Sequence, residues 1–369
     1  MATGWHWDEA YAWHQTGDGE ILPTPVSRWI QPGIGSVESA AGKTRFRDLV
    51  VRSGLLERLQ VIPGRDASEE ELLRLHTPEH LRQLKALSDA GGGEAGEATP
   101  IGPGSYEIAV RAAGGALASV EAVVSGDVKS AYALVRPPGH HAEAGRARGY
   151  CLFGNTALAA LHARQALGLE RVAIVDWDVH HGNGTEDAFY DDPSVLTISL
   201  HEDQLYPAGR GSLEDNGTGE GAGANLNIPL PDGSGHGAYL AAMERVVLPA
   251  VRRFAPDLLL VASGLDASGY DPLGRQMLHS DSYREMTGLL LDLAAECCDG
   301  RLLLIHEGGY SATYVPFCGV AVLEALLGER VVDDPFVEEL AARPGQRLQP
   351  QQDEAVRRAE ALVQRVPAR

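Results

Sequence analysis

Two carboxylates and two imidazoles crowd into six positions of one short run, Ala173-Ile174-Val175-Asp176-Trp177-Asp178-Val179-His180-His181-Gly182-Asn183-Gly184. Side chains alternate across an extended strand, so Asp176, Asp178 and His180 start on one face. Carboxylate oxygens and an imidazole nitrogen converging at a strand end suit a divalent cation of the zinc type. The alternative is that the acids and glycines mark only a strand-to-helix turn. Three further apolar runs also end in groups that can do chemistry. They lead into Arg136-Pro137-Pro138-Gly139-His140-His141, Gly264-Leu265-Asp266-Ala267 and His306-Glu307-Gly308-Gly309-Tyr310. Each has a bland reading when taken alone: a structural turn for the paired histidines, a turn acid for Asp266, a packed ring for Tyr310. Together, at one edge of one sheet, they point to a site.

The elements that must position these groups are legible as short apolar runs at Ala131–Val135, Arg171–Val175, Val195–Leu200, Asp257–Ala262 and Arg301–Ile305. They are continuous rather than alternating, as strands of a parallel sheet covered on both faces should be. Helical stretches alternate with them, at Asn155–Leu167, Gly237–Phe254, Ser280–Cys297 and Tyr314–Leu327. Upstream, Tyr106–Val124 predicts another helix, and Ser68-Glu69-Glu70-Glu71 predicts a capping box. The fold class is therefore α/β, an open, mostly parallel sheet flanked by helices, with ligands bound beyond the carboxyl ends of the strands. The stretch from Gly91 to Pro100 and the longer one from Asp203 to Gly223 read as loops, either binding loops or disordered ones. Gly217–Gly223 lacks the spacing of a dinucleotide fingerprint. The tail after Pro344 is polar, with a terminal helix predicted near Asp353–Val363. With no repeat and no linker, residues 1–369 read as one domain.

The formal net charge of -20 argues against non-specific binding to nucleic acid or to an anionic membrane. No apolar run reaches the roughly 18 residues of a membrane span, so none is expected. The start lacks the basic and apolar regions of a signal peptide, and Cys151, Cys297, Cys298 and Cys318 form no framework. A cytoplasmic location is the resulting expectation.

Pro137-Pro138-Gly139-His140-His141, Asp176-x-Asp178-x-His180-His181-Gly182-Asn183-Gly184, Gly264-x-Asp266-Ala267 and Glu307-Gly308-Gly309-Tyr310 resemble, in family order, the motifs of the zinc-dependent histone deacetylases. More narrowly, the chain resembles the bacterial class II-type members, the histone deacetylase-like amidohydrolases. The likeness runs from about Ala131 to Gly328. It implies an arginase/deacetylase-like fold with one Zn²⁺ per chain, held by Asp178, His180 and Asp266. Three protein ligands leave a position for water and substrate, as a catalytic zinc needs. By the same resemblance His140 is held by Asp176 and His141 by Asn183, an amide where class I relatives have a carboxylate. A carboxylate partner favours imidazolium more than an amide does, so His141 is the better general base and acid, with His140 as electrostatic support. Tyr310 matches the tyrosine that donates to the developing oxyanion. The family also implies two K⁺ sites, one at Asp176, Asp178, His180, Ser199 and Leu200, the other at Phe189, Asp192 and Val195. His181 and Cys151 read as packed structural groups, and His201, His279 and His306 match no ligand position.

Substrate contacts are implied at Gly149, Tyr150, Tyr206, Leu273 and Gly308. Two tyrosines stand where relatives wall the acyl-lysine tunnel with phenylalanine, and Leu265 also replaces a phenylalanine. Leu273 stands where polyamine-deacetylating relatives carry an acid, which favours acyl-lysine over acetylpolyamine. The leading expectation is a zinc amidohydrolase that removes acetyl or other acyl groups from lysine side chains. Its alternatives are an acetylpolyamine or other small N-acetyl amide deacetylase and, more remotely, an acyl-lysine-binding protein with little turnover. An arginase-like dimanganese site would need more bridging carboxylates. The natural substrate, assembly into homo-oligomers, and zinc against ferrous iron are left open by the sequence.

Overall fold

The computed structural model describes residues 2–17, 27–32 and 35–369. Eight strands form the central sheet: β1 Thr3–His6, β2 Leu59–Val61, β3 Ser130–Ala133, β4 Val172–Asp176, β5 Val195–Glu202, β6 Asn225–Leu230, β7 Leu258–Ser263 and β8 Leu302–His306. Their order across the sheet is β6-β5-β4-β7-β8-β3-β1-β2. Every neighbouring pair runs parallel. The expected α/β architecture is thus present.

Alternation along the central strands divides the core between the two faces of the sheet. Ala173 and Val175 of β4, Leu259 and Val261 of β7, and Leu302 and Leu304 of β8 pack on one side. Val172, Ile174, Leu258, Leu260, Leu303 and Ile305 pack on the other. Both sets are apolar because helices cover both faces, which is why these strands read as continuous runs.

The four loaded strand ends belong to β4, β7, β8 and β3, neighbours at the centre of the sheet. Their termini are level: Asp176 is opposite Ala262, Ser263 opposite His306, and Ile305 opposite Ala133. After β4 the chain moves outward one way through β5 and β6, and after β7 it moves the other way to β8. The gap between β4 and β7 is therefore a topological switch point, where loops of opposite direction part and leave a crevice. Asp178 enters it from β4 and Asp266 from β7.

The helices Ser105–Ser125, Asn155–Gln165, Ser280–Cys297 and Val315–Leu327 match the predicted ones closely. The segment His236–Phe254 is helical throughout, with a π-helical turn at Met243–Val247. Ser68 and Glu71 form the expected capping box, on a helix of only four residues. Three further findings correct the sequence reading, and a fourth concerns the expectation of no membrane span. β1, β2 and β6 lie outside the predicted strands. The Gly-rich stretch from Gly91 is no open loop: Gly93–Glu94 pairs with Pro100–Ile101, and Gly96–Glu97 pairs with Ala147–Arg148. Helices at Ala41–Arg52 and Pro78–Asp89 also went unpredicted. Lastly, the helix Ser105–Ser125 is long and apolar enough to cross a bilayer, yet 67% of its most apolar window is buried inside the protein.

Candidate active site

The loop after β3 carries the paired histidines, and both are buried. His140 Nδ1 lies 2.9 Å from Asp176 Oδ2, and His141 Nδ1 lies 2.8 Å from Asn183 Oδ1. Asn183 donates its amide N–H to Glu143 Oε1 at 3.0 Å, so its oxygen accepts from His141. That hydrogen bond puts the proton of His141 on Nδ1 and leaves Nε2 with a free lone pair. Burial alone would lower His140, but Asp178 and Asp176 outweigh it and raise it to about 10. Burial lowers His141 well below the usual imidazole range, and the neighbouring His140 and His180 add to that. Two adjacent imidazoles, with ring centroids 3.9 Å apart, thus differ in charge. Their partners favour the cation at His140, and burial favours the neutral form at His141.

Asp178, His180 and Asp266 bring one donor atom each to within 4.8 Å of one another. All three are buried. Asp178 Oδ2 accepts from the Gly308 N–H at 2.8 Å, and Asp266 Oδ1 accepts from the Val179 N–H at 2.8 Å. These bonds aim the remaining oxygens inward. His180 Nδ1 lies 2.9 Å from Asp178 Oδ1 and 3.2 Å from Asp266 Oδ2. Asp266 Oδ2 is buried without a hydrogen-bond partner. Burial and the neighbouring Asp178 push Asp266 up to about 7. Two carboxylates crowded in a dry site repel unless a cation lies between them. An imidazole nitrogen, two carboxylates and an oxygen lacking a partner fit a zinc-type cation. Glycine makes the convergence possible: a Cβ on Gly308 would lie 2.0 Å from Asp266 Oδ2, and one on Gly264 would lie 2.2 Å from Asp178 Oδ2.

A cavity of about 220 Å³ opens onto this group. Ala98, His141, Gly149, Tyr150, His180, Leu205, Tyr206, Leu273 and Tyr310 line it. His141 meets the Tyr206 ring edge to face at 5.0 Å, and Tyr150 lies 5.9 Å from Tyr310. Burial, with Asp266 and Asp178 nearby, holds the Tyr310 phenol well above its usual range, so it is a proton donor.

The expected catalytic and metal groups therefore come together in space, as do Gly149, Tyr150, Tyr206 and Leu273. Two expectations need correction. Gly308 packs against the carboxylates of Asp178 and Asp266 rather than lining the cavity, because it must leave room for them. Leu265 is fully buried in the core, so its replacement of an aromatic ring does not reach the cavity wall. His181 packs on Glu186 and His201, and Cys151 is a buried free thiol. His201 bonds Ser199 and the Gly211 carbonyl, and His306 bonds Tyr132. Of the residues expected at the K⁺ sites, Ser199 faces Asp176 in register, and Asp192 donates its N–H to the Phe189 carbonyl at 3.1 Å. Leu200 and Val195 are buried in β5.

Two residues whose roles sequence reasoning missed hold the site from outside the cavity. Asp271 Oδ2 accepts from the N–H groups of Tyr310 at 2.7 Å and Ser311 at 3.2 Å, while its Oδ1 accepts from Leu273 at 3.0 Å. Glu307 Oε2 accepts from the N–H groups of Gly139 at 2.6 Å and His140 at 3.0 Å. Both stand in or beside the sequence motifs, but nothing local betrays such distant partners.

Both the sequence and the fold resemble those of known proteins. A profile of the histone deacetylase domain matches residues 37–326. The chain is 51% identical over 337 residues to a histone deacetylase-like amidohydrolase of Pseudomonas aeruginosa, covering 90% of this chain and 88% of that one. It is 40% identical over 328 residues to histone deacetylase 8 of Arabidopsis thaliana, covering 87% and 86%. It is 38% identical over 273 residues to a probable deacetylase of Archaeoglobus fulgidus, covering 74% and 75%. A crystal structure of the HDA15 HD domain superposes with a TM-score of 0.85 at 32% identity, covering 98% of this chain and 96% of that one.

Proposed function

This chain belongs to the histone deacetylase family of deacetylases and amidohydrolases, and from that premise we propose that it is a zinc-dependent hydrolase of N-acyl, chiefly acetyl, amides on lysine side chains. The observation that carries the reading is two adjacent imidazoles, one on a carboxylate and the other on an amide oxygen, beside a carboxylate-rich donor set. Asp178, His180 and Asp266 would hold the zinc, which when bound would supply Lewis acidity towards water and the amide carbonyl. His141 Nε2, its lone pair free, takes the proton of the attacking water and later returns it to the leaving amine. His140, kept cationic by Asp178 and Asp176, stabilises the negative charge that develops without transferring its proton. The Tyr310 hydroxyl donates a hydrogen bond to the carbonyl oxygen as that charge grows. Tyr150 and Tyr206 flank the aliphatic stem of the substrate, and Leu273 offers an apolar rim. That rim favours acyl-lysine over a second cationic amine. The same reading assigns K⁺ to the residue sets around Ser199 and Phe189, which a dependence of activity on KCl rather than NaCl would support.

The test is kcat/KM of zinc-loaded protein on an acetyl-lysine peptide, its longer-acyl analogues, N-acetylputrescine and N-acetylspermidine. Peptide turnover should exceed polyamine turnover, and Tyr310→Phe should lower kcat by about 10²–10³. A preference for polyamines would move the protein to the second substrate class. Full activity in Tyr310→Phe would overturn the mechanism.

A further inference from the structure

Glu307 follows β8 directly and is fully buried, yet it lines no part of the cavity. Its Oε2 receives two consecutive backbone N–H groups, Gly139 at 2.6 Å and His140 at 3.0 Å. Its Oε1 receives the Thr156 hydroxyl at 2.9 Å, from the first turn of the helix Asn155–Gln165. Successive N–H groups aimed at one oxygen form a small anion-binding concavity. One side chain thus ties three elements together: the end of β8, the loop after β3 and a helix start.

The neighbours of Glu307 give this tie its meaning. The next residue, Gly308, donates its N–H to Asp178 at 2.8 Å, and Tyr310 stands three positions on. Gly139 packs close against the start of that helix, where a Cβ would lie 2.4 Å from the Asn155 nitrogen. His140 is therefore held at both ends, by Glu307 at its backbone and by Asp176 at its ring. The stretch that orients Asp178 and carries Tyr310 also sets where the two imidazoles stand.

We propose that Glu307 is a positioning residue for the reaction, fixing the paired histidines in register with Tyr310 and Asp178 through its two accepting oxygens. It touches no substrate. Its effect passes through His140 and His141, so the inference rests on the reading of those two as the proton-handling pair. Acceptance, not charge, is the property at work. Glutamine keeps one oxygen for the two N–H groups and turns its amide towards the Thr156 hydroxyl, which can accept.

The experiment measures kcat, KM and melting temperature of the zinc-loaded enzyme at pH 8 for Glu307→Gln, Glu307→Ala and Thr156→Val. Glu307→Gln should keep kcat within about threefold. Glu307→Ala should lower kcat by about 10²-fold with KM nearly unchanged, the scale expected when reacting groups move by about 1 Å. The deciding readout is a double-mutant cycle: in a His141→Ala background, Glu307→Ala should cost less than about threefold more, because groups acting as a unit are not additive. Equal loss in both backgrounds overturns the proposal, and so does a glutamine variant as damaged as the alanine one. If Glu307→Ala does not fold, Thr156→Val carries the test, with a smaller loss of kcat that vanishes in the same background. If His141→Ala itself keeps full kcat, it is the functional reading that fails; if His141→Ala is crippled while Glu307→Ala is not, only this inference fails.

Discussion

Asn183 Oδ1 lies 2.8 Å from His141 Nδ1 and brings no charge to it. Burial comes first in lowering His141, followed by the neighbouring imidazoles, and the Asn183 hydrogen bond opposes them only as a smaller, uncharged contribution. Asn183→Asp would place a carboxylate there and stabilise the imidazolium. A base with a raised pKa is neutral only at higher pH, so the acid limb of kcat/KM should move to higher pH, by about one unit for each 1.4 kcal/mol gained. The substitution also faces Glu143 Oε1 with a carboxylate in place of an N–H donor, at a cost of about 1–3 kcal/mol in stability. An acid limb that stays put in the variant would exclude His141 as the base.

Asp178 and Asp266 are both buried, and each has an oxygen aimed at the other's space. A cation between them removes their repulsion only in the folded chain, so binding should stabilise folding by linkage. Treatment with a chelator should lower the melting temperature by several degrees, and one equivalent of Zn²⁺ should restore it. Asp266→Asn should weaken zinc binding strongly and shrink that thermal shift. A stoichiometry of two, or a melting temperature indifferent to chelation, would contradict a single structural and chemical centre at these ligands.

What was legible in the sequence follows from how local each signal is. β4, β7 and β8 are buried on both faces and so read as unbroken apolar runs, with the groups at their ends in plain view. β6 did not, because Asn225 and Asn227 turn inward to bond Glu186 and Pro229 interrupts the run. Proline is admissible there because β6 is an edge strand. β1 mixes Thr3, Gly4 and His6 with a single Trp, and β2 is three residues long. The same logic divides the site. Asp178 and His180 announce themselves two positions apart, whereas Glu307 meets Gly139 across 168 positions and Asp271 meets Tyr310 across 39. Those partners exist only once the sheet order is known.

Burial pushes the Glu307 carboxyl up to about 7, against roughly 4.3 in an unfolded chain. Between those values the folded protein keeps a proton that the unfolded chain has released. The stability contributed is therefore full below about pH 4 and is lost as the pH rises through 7. Glu307→Gln carries no such proton. Between pH 5 and pH 8 the stability of the wild-type protein should fall relative to that of the variant by on the order of a few kcal/mol, seen as a falling melting temperature. A constant gap between the two curves would mean that the carboxyl titrates in its ordinary range.

Leu273 is half-buried on the cavity wall, with its N–H held by Asp271 at 3.0 Å. The backbone there is fixed, so a longer side chain must extend along the rim. Leu273→Glu would put a carboxylate where the far amine of an acetylpolyamine enters. At about 6 Å and an effective dielectric near 40, two unit charges attract by about 1.4 kcal/mol, which is about tenfold in kcat/KM. The neutral stem of an acetyl-lysine peptide gains nothing of the kind, and without the leucine the rim is less apolar, which weakens its binding slightly. The ratio of polyamine to peptide kcat/KM should therefore rise by about tenfold, and the rise should shrink in high salt because the rim is open to solvent. If the ratio does not move, charge at this position does not select the amine. Discrimination between the two substrates would then rest on the ring walls, where Tyr150→Phe and Tyr206→Phe would be the substitutions to compare.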